Sequence, residues 1–302
     1  MPPLPYPLPL LPLLAIIPAF SLGFSLLRSV LSAFASRYAR MACRRIHGPE
    51  WEASNGAKIS KFGESFFKLA CHSSAAGFGY ARLSTADWYV STVKIWAQQD
   101  RWVPPTAIHV YYLLQIAYNL EAFAHLLSYS VRFSRKPAAP FVTVSRLPTM
   151  RGDFKEMFVH HVCTDLLLLL SYRYQFLRIG CLILLLHDTS DVPIDIAKMC
   201  NFLKFKAATA FFFFLIVVFW IWQRIYLFPS KVLYSVMFET TTDLVPDRPE
   251  YYDPATFWYK FVKTGFSVLL IALYLLHIFW LHTFVKMGYA LVFKGETHDL
   301  SV

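Results

Sequence analysis

The stretch EMFVHHVCTDLLLLLSYRYQFLRIGCLILLLHDTSD, residues 156–191, decides the fold. It holds two apolar runs, 156–172 and 175–191, separated only by the polar patch Ser171-Tyr172-Arg173-Tyr174-Gln175. Two helices joined so briefly must turn back on each other, so a tight antiparallel hairpin is expected, with both outer ends on one side. Each outer end carries ionisable residues: Glu156, His160, His161 and Asp165 in the first run, His187, Asp188 and Asp191 in the second.

Five further apolar stretches flank this hairpin, at 10–27, 64–83, 107–131, 207–228 and 264–285. The 302 residues are 56% hydrophobic, 18% aromatic and only 16% charged, against about 25% charged in a soluble globular domain. With a mean hydropathy of +0.43, the composition excludes a water-soluble domain, a disordered chain, a collagen-like chain and a disulfide scaffold. The expected class is an all-α polytopic membrane protein with about seven transmembrane helices. Cys43, Cys71, Cys163, Cys181 and Cys200 show no CxxC spacing and are expected to act as small hydrophobes rather than disulfide partners.

The excess of 29 Lys+Arg over 19 Asp+Glu is read as topology, not as a nucleic-acid surface. The connections 28–63, 132–155 and 192–206 and the tail 286–302 hold 18 Lys+Arg, whereas the opposite set holds 8. The positive-inside rule then places the N-terminus in the lumen and the C-terminus in the cytosol. Seven prolines fall within the first 18 residues, so no continuous helix is expected before about residue 19. The apolar run is followed by Arg28, Arg37, Arg40, Arg44 and Arg45, which reads as a signal anchor. The chain contains no Asn-x-Ser/Thr sequon.

An ionisable side chain at the bilayer centre costs about 2.5–3.5 kcal/mol on insertion scales, so such residues face a cavity or a partner. The hairpin gathers several at one depth. Asp188 and Asp191 are three apart and share a helix face, as do His187 and Asp191 at four; His160 and His161 point about 100° apart, so one imidazole reaches a reacting group while the other supports it. Imidazole suits proton transfer near neutral pH and serves as a nucleophile. A zinc or iron site built from the same residues is the competing reading, but membrane di-iron enzymes use several HxxHH boxes, and Met157 stands three before His160; no metal is expected. His277 and His282 read as packing or interfacial residues, and FFFFLIVVFWIW (211–222) as lipid-facing bulk.

Residues 150–199 resemble the signature of the ceramide synthases, the longevity-assurance branch of the TLC-domain proteins. The match rests on DFKEMFVHH, the SY pair, the Arg178-Ile179-Gly180 triplet, LLHDTSD and AKM, with KFGESFF (61–67), YYLLQIAYNLEAF (111–123), QRIYLFP (223–229) and LLHIFW (275–280) resembling flanking helices. It covers roughly residues 60–295. Gln175 stands where the family commonly has Asn, Pro193 is unusual after HDTSD, and no homeobox-like insert lies between the first two spans. The implied organisation is a Pro-rich first helix and basic linker (1–59), a TLC domain (60–290) with six helices in a barrel around a central cavity, and a cytosolic tail (291–302).

The resemblance implies an endoplasmic-reticulum N-acyltransferase that joins an acyl-CoA to a sphingoid base, with no bound cofactor, in a family whose members often pair as homodimers. It implies His160, His161, Asp188 and Asp191 as catalytic residues, with His160 the nucleophile toward the thioester. Arg151, Lys155 and Lys198 are expected at the acyl-CoA phosphates, alongside Arg135, Lys136, Arg146 and Lys204. Asp165, Tyr172, Arg178, His187 and Arg224 are expected around the substrate cavity. Acyl length is expected to depend on the connection 229–263. The alternative is a TLC-type lipid-binding or lipid-sensing protein without turnover, for which the polar group would be dispensable.

Overall fold

A computed structural model describes residues 8–97, 102–135, 142–241, 257–290 and 293. Pro2, Pro3, Pro5, Pro7, Lys136, most of the tail and residues 242–256 of the connection 229–263, on which acyl length is expected to depend, lie outside the described residues.

Helix α1 runs from Leu10 to His47 without interruption, with Pro18 inside it. This corrects the expectation that prolines delay the helix to residue 19. Pro12 falls in the first turn, where a missing N–H costs nothing, and the apolar run carries the helix past Pro18. At 38 residues α1 is about 57 Å long, well beyond the roughly 30 Å of a bilayer core, so its basic C-terminal half extends past the apolar part. The short α2 (Pro49–Ser54) leads into α3 (Gly56–Leu83). A Cβ on Gly63 would meet the Ser32 carbonyl oxygen at 2.5 Å, so the glycine of KFGESFF lets α1 and α3 touch backbone to backbone. One turn away, buried Arg28 pairs with Glu64 and, through Nε at 2.9 Å, with Glu121 of the helix Thr106–Ser130, while its guanidinium covers the Phe67 ring at 4.4 Å. Motif residues from two flanking helices are thus bound together through one arginine.

Two short helices, α4 (Asp87–Val90) and α5 (Val93–Trp96), precede α6 (Thr106–Ser130). The next connection adds one short strand pair to an otherwise helical fold: Val131–Arg135 (β1) and Val142–Arg146 (β2) pair antiparallel, Val131 opposite Arg146. Alternation of Val, Phe and Thr with Arg and Ser is the strand period, in a segment that charge counting treats only as a basic loop.

The decisive hairpin is α7 (Phe154–Arg173) and α8 (Leu177–Phe202). Its turn is a Schellman motif: the Phe176 N–H donates to the Ser171 carbonyl (2.7 Å) and the Gln175 N–H to that of Tyr172 (3.4 Å), with Gln175 at φ +64°. That left-handed position favours Gly or Asn, which explains the family's Asn there. The chain continues as α9 (Lys206–Phe219), a π-helix (Trp220–Leu233) and α10 (Tyr234–Phe238), then α11 (Phe257–Tyr289). The wide π turns replace the uniform α-helix expected for 207–228.

Three segments are long and apolar enough to cross a membrane among the described residues: Leu11–Ile46, Lys206–Phe238 and Lys260–Tyr289. Each exposes large apolar side chains, such as Leu22, Phe214 and Val268. Within the FFFFLIVVFWIW run, however, Ile216 and Trp220 are buried. The other long helices, α3, α6, α7 and α8, carry buried polar groups including Glu121, Asp165, Arg178 and Asp195. Packing runs from α1 to α3 and α6, from α3 to α8, from α8 to α9 and the π-helix, from there to α11, and from α7 to α6 and α11.

Candidate active site

The hairpin register brings the imidazoles together. His160 of α7 lies 6.4 Å, centroid to centroid, from His187 of α8, with ring planes 26° apart, and 5.4 Å from Trp280 of α11. His187 is in turn 5.2 Å from His277. A cavity of about 110 Å³ opens on this group; His72, His160, His187, Asp188 and Asp191 line its polar part, and leucine, isoleucine and phenylalanine side chains such as Leu167, Ile183, Phe266 and Leu270 line the rest. The hairpin, together with residues of α3, α6, α10 and α11, thus encloses a mostly apolar cavity in which three imidazoles and two carboxylates converge.

The two carboxylates are held differently. Asp188 is buried and accepts a hydrogen bond from Gln115 Nε2 at 2.5 Å. Asp191 accepts one from Arg224 Nη2 at 2.8 Å. Arg224 is 2% exposed and sits in the π-helix. Its Nε donates to Ser190 Oγ (2.7 Å), Nη2 also to the His187 carbonyl (3.1 Å), and Nη1 lies 3.2 Å from His277 Nε2. Its guanidinium lies over the Trp220 ring at 4.8 Å. Widened π turns recur at functional sites; here they carry a charged residue behind α8. Pro193 deprives α8 of one backbone donor just beyond Asp191, next to the segment where Arg224 reaches the His187 carbonyl.

Not every expected residue meets the cavity. His161 is buried against Phe123, rings 5.7 Å apart and 18° from parallel, and is absent from the cavity wall. Asp165 is buried with neither carboxylate oxygen hydrogen-bonded among the described residues. Tyr172 accepts the Leu8 N–H at 3.0 Å and lies 2.7 Å from His109 Nε2, tying the N-terminus to α6 instead of facing substrate. Arg178 donates to the carbonyls of Lys94, Ile95 and Ala97 at 3.1, 3.2 and 2.7 Å and covers the Trp102 ring, so it clamps the loop after α5. Arg224 lies behind the wall rather than in it, and His277 is its partner, more than packing. His282 is exposed. No hydrogen bond joins His160 to His161 or to Asp188 among the described residues; the Nδ1 atoms of His160 and His161 and Nε2 of His187 are buried without a partner there. No group of three His, Cys, Asp or Glu residues that could hold a metal ion occurs among the described residues.

Gly180 explains the triplet's last member. A Cβ there would meet the Tyr112 hydroxyl oxygen at 2.1 Å, and Tyr112 is itself buried and bonded to Ser171. Gly180→Ala is expected to destabilise the protein by about 1–3 kcal/mol through overpacking, visible as a lower thermal midpoint in detergent; an unchanged midpoint would contradict this account.

Two residues outside the hairpin join the site, His72 and Tyr118. His72 of α3 places Nδ1 2.9 Å from Asp195 Oδ2 and Nε2 3.0 Å from the Tyr118 hydroxyl. His72 and Tyr118 both line the cavity. The sequence signal was present, since His72 is an ionisable residue inside the apolar span 64–83, but nothing in the chain pairs it with Asp195, 123 positions away. At the expected phosphate contacts, Arg151 is engaged by Asp153 through two 2.8 Å bonds, Lys155 is exposed at the start of α7, and Lys198 lines a separate cleft.

Compared with known proteins, residues 61–286 match the TLC domain of the TRAM, LAG1 and CLN8 family. The chain is 28% identical over 236 residues to ceramide synthase 4 of Bos taurus, covering 78% of this chain and 52% of that protein. It is 28% identical over 272 residues to ceramide synthase 1 LOH3 of Arabidopsis thaliana, covering 88% and 81%. It is 27% identical over 244 residues to sphingosine N-acyltransferase lac1 of Schizosaccharomyces pombe, covering 80% and 58%. The chain thus spans about half the length of the bovine relative.

Proposed function

This chain belongs to the TLC-domain family, and from that membership we propose that it is a ceramide synthase, transferring the acyl group of an acyl-CoA to the amine of a sphingoid base. The observation that carries this reading is the single cavity on which His160, His187, Asp188 and Asp191 converge with apolar side chains such as Leu167, Ile183, Phe266 and Leu270. An acyl thioester has the matching make-up: a polar reacting carbon joined to a chain that partitions into hydrocarbon.

In the proposed reaction an imidazole nitrogen of His160 attacks the thioester carbonyl carbon. The C–S bond breaks, and the thiolate leaves and is protonated to free CoA. The neutral amine of the sphingoid base then attacks the acyl-imidazole, the C–N bond to imidazole breaks, and an amide results. The amine gives up one proton, for which Asp191, the released imidazole and the His72–Asp195 pair are the acceptors within the cavity. His161, stacked on Phe123, supports the α7 turn that presents His160. Asp188, held by Gln115, contributes its carboxylate to the same cavity. The chemistry as written needs no cofactor beyond the co-substrate.

Seven membrane crossings, a lumenal N-terminus, a cytosolic C-terminus and residence in the endoplasmic reticulum complete the reading. So does a barrel of the TLC helices around the cavity, supported by the circuit of packed neighbours from α3 through α8, the π-helix, α11, α7 and α6 to α1. The absence of a His160–Asp188 hydrogen bond is the observation that favours the alternative, a lipid-binding protein without turnover. Expression in a host lacking its own ceramide synthases separates the two. New ceramides in the host lipidome are expected, and a correctly inserted protein that yields none would sink the enzyme reading.

A further inference from the structure

A second cleft, of about 500 Å³, opens where α2 and the start of α3 meet the end of α8 and the start of α9. Five lysines line it, Lys58, Lys61, Lys198, Lys204 and Lys206, and no acidic residue does. Its remaining wall includes the aromatic rings of Trp51, Phe62 and Phe202; Phe202 lies 6.0 Å from Trp51 and 5.0 Å from Phe62. Like charges gathered around one hollow repel one another, and the repulsion is relieved when an anion enters.

Two local features show that the gathering is built into the fold. Lys204 occupies the left-handed position of a Schellman motif at the end of α8, with φ +58°. There the Phe205 N–H donates to the Cys200 carbonyl (3.0 Å) and the Lys204 N–H to that of Asn201 (3.1 Å). A β-carbon in that conformation costs about 1–2 kcal/mol, and glycine is the usual occupant. A lysine kept in a glycine position points to a use for its charge. Lys198, beyond the apolar part of α8, is pulled down to about 8 by burial, then by Arg151 and Lys68, against the pull of Asp195 and Asp153. An anion in the cleft would favour its charged form and pull the value back up.

The cleft also stands at a suitable distance from the reaction site. Lys198 follows Asp191 by seven residues on the same helix, about 10 Å of rise. Lys61 precedes His72 by eleven residues on α3, about 16 Å. Both connections that charge counting assigns to the cytosol, 28–63 and 192–206, line the cleft.

We propose that this five-lysine cleft binds the phosphate-bearing adenosine head of the acyl thioester, with the lysines on its phosphates and the Trp51 and Phe62 rings beside its base, so that the linear arm carries the thioester along α3 and α8 to His160. The proposal deepens the acyltransferase reading and rests on it for the identity of the ligand. It moves the phosphate site from Arg151 and Lys155 to a cleft that the sequence reading touched only at Lys198 and Lys204.

The test uses the full chain in nanodiscs of neutral lipid and the variant Lys58→Gln/Lys204→Gly/Lys206→Gln. Glycine at 204 fits the turn, so the variant is expected to fold. Binding of free coenzyme A, measured by calorimetry, is expected to weaken by roughly tenfold or more. The KM for acyl-CoA is expected to rise by a similar factor with kcat retained, while transfer from an acyl-pantetheine lacking the nucleotide is unchanged. Unaltered coenzyme A affinity in the triple variant would overturn the proposal, as would equal losses on both thioesters. So would a cleft whose lysines respond only to nanodiscs containing phosphatidylinositol phosphates. Coenzyme A binding that depends on the lysines in a protein without transferase activity would leave the cleft standing and remove the ceramide synthase reading.

Discussion

Replacing His160 by alanine is expected to lower the rate of amide formation at least about 10³-fold while leaving the protein folded and inserted. A nucleophile that is also the proton carrier cannot be substituted by its neighbours, and losses of this order follow when one member of such a group is removed. His160 lines the cavity and its ring is packed edge-on to Trp280 and stacked near His187, so alanine removes reactive atoms rather than a structural bond. His161→Ala should behave differently. That ring is stacked on Phe123 outside the cavity wall, and its loss is expected to lower the thermal midpoint with a rate change of about tenfold or less. Equal losses for the two variants would reject the division of roles. Intact-protein mass spectrometry of the wild-type chain incubated with acyl-CoA alone should show an added acyl mass that is missing from His160→Ala; amide formation without any such adduct would favour direct transfer with His160 as general base.

Much of this site is legible in the sequence because two signals reinforce each other. Apolar runs fix helices, and a connection as short as Ser171–Gln175 fixes their antiparallel return, so His160 and His187 must come to similar depth. Helical phase then places Asp191 on the face of His187 and Asp188. Longer-range pairings carry no such constraint. His72 with Asp195, and Gln115 with Asp188, depend on how α3 and α6 pack on α8, which periodicity within one helix does not report. Arg178 misleads for the same reason. An arginine in an apolar run signals a buried partner but not which one, and its partners are backbone carbonyls of the loop after α5, which have no sequence signature. The π-helix is equally silent, because its side-chain pattern in WIWQRIYLFPSKVL differs little from an α-helix over so few turns. The strand pair at 131–146 was visible as alternation, but counting charge hid it.

Asp191 is both the hydrogen-bond partner of buried Arg224 and a residue of the cavity wall, and the second large effect is expected there. Its partner Arg224 is 2% exposed, whereas the Asp191 side chain retains 30% exposure toward the cavity. Breaking such a pair costs most when the stranded charge has no access to water. Asp191→Ala removes the one carboxylate hydrogen-bonded to the buried guanidinium, leaving it the neutral Ser190, His187 carbonyl and His277 as polar contacts and Asp188, itself bonded to Gln115, as its remaining acidic neighbour, and is expected to cost about 3 kcal/mol of stability. Arg224→Met strands a carboxylate that water in the cavity can reach, so its cost is expected to be smaller, about 1–2 kcal/mol. The double variant Asp191→Ala/Arg224→Met removes both charges and should recover much of the stability lost in Asp191→Ala, a coupling of the kind double-mutant cycles resolve. Activity should not recover with it, because the variant lacks both the carboxylate at the cavity and the cation that holds the His187 segment. Thermal midpoints and initial rates measured on the three variants together decide the matter. Recovered stability with an activity below that of Arg224→Met assigns Asp191 a part in the reaction, whereas an activity equal to that of Arg224→Met would reduce it to the counter-ion of Arg224.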